Sequence, residues 1–195
     1  KVSATAAVVL PGKGKKEGEL RLLVALANNA LDVHSSKDGG ASFEVKHTLN
    51  TQGHRSDVRA VAISGDDSMI LSAGPGAAKV WNVASSACIR TVSSGYLVSA
   101  CFAPGDRHIV TGGKEGIVQV IHIASAAVTW SFQAHASAVW SVNVRACAGS
   151  PGILTAGADK QVKLWDLVVG DSATNLTLEE SADVAMTDDV LACKV

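Results

Sequence analysis

The chain lacks most of the patterns that mark membrane-bound, metal-dependent or hydrolytic proteins. No apolar run approaches the roughly 20 residues needed to span a bilayer. The opening KVSATAAVVLPGKGKK has an apolar stretch too short, and too soon followed by charge, for a secretion signal. Neither sign of charge dominates. Seventeen basic residues face eighteen acidic ones, so no global field favours nucleic acid or a membrane, and only local patches remain. Four cysteines are present but no C-x-x-C pair. Cys88, Cys101, Cys147 and Cys193 each sit among small or apolar residues, which reads as buried, reduced thiols in a reducing compartment. Together these absences predict a soluble, intracellular protein.

Chemistry is missing too. There is no G-x-S-x-G and no other nucleophile motif. The glycine-rich GGKEG at 112–116 holds a lysine, but a P-loop needs G-x-x-x-x-G-K-[ST] leading into a helix, and this stretch joins two strand-like runs. It reads as a turn. Of the six histidines no two lie within five residues of each other, and none stands at ligand spacing from a cysteine. The expectation is no catalytic residue, no metal, no cofactor, no small-molecule substrate and no membrane partner.

What the chain has is apolar content and repetition. Hydrophobic residues make up 47% and charged residues 18%, ample for a packed core. The pattern V-x-x-V-x-I occurs at Val58, Val61 and Ile63, then at Leu97, Ala100 and Phe102, at Val139, Val142 and Val144, and at Val190, Cys193 and Val195. The first members lie 39, 42 and 51 residues apart. Units of about 40–45 residues are the length of a four-stranded propeller blade. The long last interval places its surplus in the polar stretch 169–189, read as a loop insertion.

Within each unit, alternating or β-branched runs are broken by Gly, Asp, Asn and Ser. They predict strands at 58–64, 69–73, 77–83 and 88–93, then at 97–103, 108–112, 117–124 and 128–133. A third set falls at 139–145, 153–156, 161–167 and 175–179. The start of the chain is a degraded copy, with strands at 5–10, 20–27, 30–35 and 43–49. No long stretch carries a 3.6-residue period, so little helix is expected.

Two units carry matching marks. Gln52-Gly53-His54 and Gln133-Ala134-His135 precede first strands; Lys79-Val80-Trp81-Asn82 and Lys163-Leu164-Trp165-Asp166 end third strands. In these residues the chain resembles the WD-repeat β-propeller family. The resemblance implies an all-β, partial propeller of about four four-stranded blades plus the first strand of a fifth. Its parts would be a degenerate first blade at 1–51, a WD blade at 52–94, a degenerate WD blade at 95–134, a WD blade with the insertion at 135–182, and a further first strand from 183 to 195. Lys1 in place of Met reads as a cut from a longer product. An unclosed arc would leave apolar faces at both ends, a liability for association.

The resemblance also implies a structural network. In the family, a His before the first strand, a Ser or Thr in the second, an Asp in the following turn and a Trp in the third form a buried hydrogen-bond chain. His135, Thr155, Asp159 and Trp165 match completely. The unit at Val58 supplies His54, Ser72 and Trp81, with Gly76 where the Asp would stand. The unit between them keeps only Thr111, with Glu115 and Ile121 at the Asp and Trp places.

A narrower likeness rests on an ordered series: GHRSDVR at 53–59, CIRT at 88–91, PGDR at 104–107, Ala134-His135, GADKQVKLWD at 157–166 and TDDVLAC at 187–193. The series is similar to the twin-propeller WD-repeat subunits of the UtpB subcomplex of the small-subunit processome, over roughly residues 52–195. It implies a non-catalytic nucleolar scaffold for small-subunit ribosome biogenesis. Its partners would be other proteins of a large ribonucleoprotein assembly, with contact to precursor or small nucleolar RNA left open. The alternative is an adaptor of another complex, such as a ubiquitin-ligase substrate receptor.

Two sets of residues are candidates for partner binding. Arg59, Val98 and Trp140 each follow the first apolar residue of a first strand, which in a propeller lines one mouth of the central channel; an exposed Trp beside an Arg suits a binding hot spot. Packing of Trp140 between blades is the competing reading. Lys13, Lys15 and Lys16 could meet RNA phosphates. Against that stands a solvated loop loosened by Gly12, Gly14 and Gly18, with no interleaved aromatics to stack bases.

Overall fold

A computed structural model describes residues 2–10, 19–26, 30–36, 41–50, 52–145, 151–170 and 176–194. Every regular element among them is a β-strand. The chain divides into two compact units, Lys1–Ser56 and Asp57–Val195.

The first unit is one antiparallel sheet of β1 (Val2–Leu10), β2 (Glu19–Leu26), β3 (Ala30–Ser36) and β4 (Glu44–Asn50) in sequence order. Each strand pairs with the next, as a meander of short apolar runs separated by polar breaks dictates. Lys13, Lys15 and Lys16 lie outside the described residues, as does Cys147.

The second unit holds the remaining strands. β5 is Ala60–Ile63, β6 Met69–Asn82 and β7 Cys88–Phe102. β8 (His108–Gly113), β9 (Ile117–His122) and β10 (Ala127–Gln133) complete a six-stranded sheet in the order β10-β9-β8-β7-β6-β5. β11 (Val139–Arg145), β12 (Gly152–Gly157), β13 (Gln161–Val169) and β14 (Leu176–Ala185) form a separate four-stranded meander.

The six-stranded sheet is two blade-like units joined through one shared strand, β7. β6 doubles back: the Trp81 Nε1 donates to Ser72 Oγ at 2.7 Å, nine residues earlier. An extended chain of nine residues would span about 30 Å. Its first arm pairs with β5 and its second with β7, so the arms are the strands expected at 69–73 and 77–83. β7 pairs with β6 through residues 88–96 and with β8 through 97–102, serving as the last strand of one unit and the first of the next.

Packing follows the two-residue period of a strand. From the middle unit, Ile109 and Ile121 join Leu71, Val80, Val92 and Phe102 in one core cluster. Val110, Val118 and Val120 join Val142, Ile153, Trp165 and Leu178 in another. The middle unit is thus buried on both faces, which explains its near-continuous apolar strands.

Two expectations differ from what is found. The fourth strand of the last unit extends well past 179, as Leu176–Ala185, and so fills much of the stretch read as a loop and crosses 182/183. Its exposed residues include Glu179, Glu180 and Asp183, and that polarity masked it. The second difference concerns 189–195: no strand ladder forms among its described residues. A strand needs a neighbour for its backbone groups. Here Cys193 N–H is taken by Ser141 Oγ at 3.2 Å and its carbonyl accepts from Asn143 Nδ2 at 2.7 Å, while Val190 and Cys193 pack on Leu154, Ala156 and Val162. The segment lies beside β11, held by these side-chain bonds and apolar contacts.

Candidate functional site

A buried polar group of the second unit joins two strands of the β11–β14 sheet, the turn between them and the segment that leads into β11. Trp165 Nε1 lies 2.8 Å from Thr155 Oγ1. Thr155 Oγ1 lies 2.8 Å from His135 Nε2, and His135 Nδ1 lies 2.9 and 3.0 Å from the two Asp159 oxygens. The direction of the chain follows from its ends. An indole N–H only donates and an ionised carboxylate only accepts. The Trp therefore donates to the Thr oxygen, the Thr hydroxyl to His135 Nε2, and His135 Nδ1–H to Asp159.

Asp159 also accepts the backbone N–H of Ala136 at 3.0 Å and of Gln161 at 3.2 Å. Burial pushes its carboxyl up, but the hydrogen bonds from His135 and from the Ala136 and Gln161 N–H groups together outweigh burial and hold it below the usual range. Gly157 belongs to the same group, although the sequence pattern did not single it out. A Cβ there would stand 2.7 Å from both Asp159 Oδ1 and His135 Nδ1, so only glycine admits the close approach. The neighbouring unit contributes as well. Gly116, at φ +84°, packs so closely on the His135 carbonyl that a Cβ would lie 2.0 Å from it, and Gln133 Nε2 donates to that carbonyl at 2.8 Å. Trp165, 2% exposed, meets the rings of Trp130 and Phe132 at 6.2 and 6.0 Å, both edge-on. Asp166 takes no part in the chain; it pairs with Arg145 across the sheet.

Of the earlier set, Ser72 and Trp81 are joined as described, while His54 is half-buried and belongs to the first unit. The middle unit keeps Thr111 alone. That residue is fully buried, and its hydroxyl meets no hydrogen-bond partner among the described residues.

Arg59, Val98 and Trp140 fall on adjacent elements, since β5 lies against β7 and β7 against β11. Val98 and Trp140 occupy equivalent irregularities, where the pairing skips from Leu97 to Ser99 and from Val139 to Ser141. Such a bulge re-aims the side chain it contains. Trp140 is 41% exposed and belongs to no core cluster, and Val98 is half-buried. Arg59 is exposed and reaches Asp57 at 3.4 Å. No hydrogen bond or cation–π contact joins Arg59 to Trp140 among the described residues. No cluster of three His, Cys, Asp or Glu side chains suited to a metal occurs among the described residues.

Consecutive four-stranded antiparallel units, with a His–Thr–Trp chain closed by a turn Asp, define a class. The chain carries WD40 repeats: the family described as "WD domain, G-beta repeat" matches at residues 43–82 and 127–166. Among curated proteins it is 37% identical over 182 residues to the WD repeat-containing protein 3 homolog of Dictyostelium discoideum, covering 89% of this chain and 19% of that protein. It is 34% identical to WD repeat-containing protein 3 of Homo sapiens over 89% of this chain and 19% of the relative. To the U3 small nucleolar RNA-associated protein 12 of Saccharomyces cerevisiae it is 30% identical, over 91% of this chain and 20% of the relative. The chain spans about a fifth of the length of these relatives.

Proposed function

We propose that this chain is part of a non-catalytic scaffold in small-subunit ribosome biogenesis, acting in the nucleolus by holding other proteins of a ribonucleoprotein assembly. The observation that carries the reading is its similarity, over nine-tenths of its length, to a protein named for association with the U3 small nucleolar RNA. The geometry is compatible with such a role. The buried polar chain at His135 ties three segments of one sheet together. The exposed residues at the starts of the first strands, Trp140 above all, supply an anchor of the kind that dominates protein interfaces.

Affinity capture of the full-length protein from nuclear extract tests the reading. Enrichment of U3 small nucleolar RNA and of precursor ribosomal RNA, with a fixed set of protein partners, is the expected result. Recovery with ubiquitin-ligase subunits and no such RNA would overturn it. A Trp140→Ala variant should lose at least one protein partner while its urea midpoint stays put.

A further inference from the structure

We propose that a cleft at the opposite end of the sheets from Trp140 is a docking site for an acidic, extended peptide segment carrying an aliphatic anchor. The cleft, about 540 Å³, opens between the two halves of the six-stranded sheet. Its apolar part comes from Met69 at the head of β6, Ile89 near the head of β7 and Ile123 just beyond β9. Its polar part comes from Arg90, Arg107 and His122. Val98 begins the first-strand arm of β7, while Asp106 and Arg107 lie just past its other end. Six residues of strand, on the order of 20 Å, therefore separate this surface from the one considered above, and the two stand or fall separately.

Two features select the occupant. The first is an excess of positive charge, Arg90 and Arg107 against the one lining carboxylate of Asp106. Arg90 is planted by two bonds within the protein, Nε to the Ala124 carbonyl at 3.2 Å and Nη1 to the Ile89 carbonyl at 2.8 Å. A guanidinium has five N–H donors in a rigid fork, so most of this one remains for a ligand. Arg107 is exposed and meets no carboxylate among the described residues. The carboxylate lining the cleft, Asp106, is already engaged, accepting the Gly65 N–H at 2.9 and 3.1 Å. His122 is oriented by Ser125 at 2.9 Å and by the ring of His108 at 5.0 Å.

The second feature is the apolar lining. Ile89 is 37% exposed, Met69 is partly covered, and Ile123 is buried beneath them. Nucleic acid would use the arginines but would want flat rings for its bases. The lining offers aliphatic side chains and one imidazole already packed at a tilt against its neighbour. Carboxylates for the arginines and a Leu-sized side chain for the floor satisfy both halves of the cleft at once.

Fluorescence anisotropy of the purified chain with a labelled octapeptide, Glu-Asp-Leu-Glu-Glu-Leu-Asp-Glu, tests the proposal at low salt. A polyglutamate octapeptide and an oligouridylate of equal length serve as competitors. Binding should weaken about tenfold or more in Arg107→Glu, which places like charge against the ligand, and on the order of threefold in Arg107→Ala. Ile89→Ser should weaken the leucine-containing peptide and bring it level with polyglutamate. Urea midpoints of the variants, all changed at exposed positions, should match the parent; if that of Arg107→Glu drops, Arg107→Ala decides. Failure of the peptide to bind, indifference to both Arg107 variants, or indifference to Ile89→Ser would overturn the proposal. Tighter binding of oligouridylate with the same dependence on Arg107 would overturn it in favour of a phosphate-backbone site.

Discussion

The β11–β14 sheet and its neighbour, built on the second arm of β7 with β8, β9 and β10, have the same topology and share a core, yet they hold their strands by different means. One runs a complete donor–acceptor chain from Trp165 to Asp159. The other places Ile121 where the first has a Trp and leaves the hydroxyl of Thr111 buried and unpaired among the described residues. Both form. Apolar strands of the right period, covered on both faces, are therefore sufficient for the architecture. What the polar chain adds is register and a penalty for losing it, because each buried group depends on the next.

Substitutions at the two equivalent threonines should separate these roles. Thr155→Val strands both the Trp165 N–H and His135 Nε2, each worth roughly 1–3 kcal/mol when left unpaired; a loss of about 3 kcal/mol, read from urea midpoints, is expected. Trp165→Phe removes one donor and keeps the ring contacts with Trp130 and Phe132. It should cost about 1–3 kcal/mol, and an unchanged midpoint would remove the network from the account.

Acid should unpick the same sheet. Because the native carboxyl of Asp159 sits below its ordinary value, the unfolded chain binds the proton more readily. The stabilisation is then complete above the ordinary carboxylate range, roughly pH 4, and is lost as pH falls through the lower native value. Urea midpoints followed downward from neutral pH should show this fall, and Asp159→Asn should remove that share of it. Asp66 also titrates low, at about 2, held by hydrogen bonds from Ser64 and from the Ser68 N–H and hydroxyl. The subtraction against Asp159→Asn isolates the network from that exposed turn.

Thr111→Val is the converse case. It replaces an unpaired hydroxyl with a methyl of similar shape, so stability should hold or rise by up to about 1 kcal/mol; a loss resembling that of Thr155→Val would mean the middle sheet has a polar chain of its own. The smallest effect concerns thiols. Burial raises the Cys101 thiol to about 12, while Cys88, half-buried and near the Arg90 carbonyl at 3.3 Å, is more accessible. Iodoacetamide on the native protein should label Cys88 well before Cys101, and equal rates would indicate that the core around Cys101 opens readily.

Much of the strand layout was legible in the chain because period and punctuation are local properties. Runs such as 108–112 and 139–145 lie close to β8 and β11, since alternation and a flanking Gly or Asp need no distant partner to be read. The His135, Thr155, Asp159 and Trp165 set was legible for another reason: residue types with only one way to satisfy one another recur at fixed spacing. Gly157 escaped notice because its constraint is a distance to side chains elsewhere in sequence, and β14 because its exposed acids imitate a loop.

By itself, then, the sequence determined the all-β class, the repeat length and the residues of the polar chain. Tertiary structure decided the rest. It joined two expected strands into β7 and folded β6 on itself. It left 189–194 without a ladder despite a strand-like pattern, and it turned Trp140 outward at a bulge. The physical reason is common to all four. A strand exists only through the backbone groups of a neighbour, and a side chain is exposed only relative to what packs beside it. Neither neighbour is written in the local pattern.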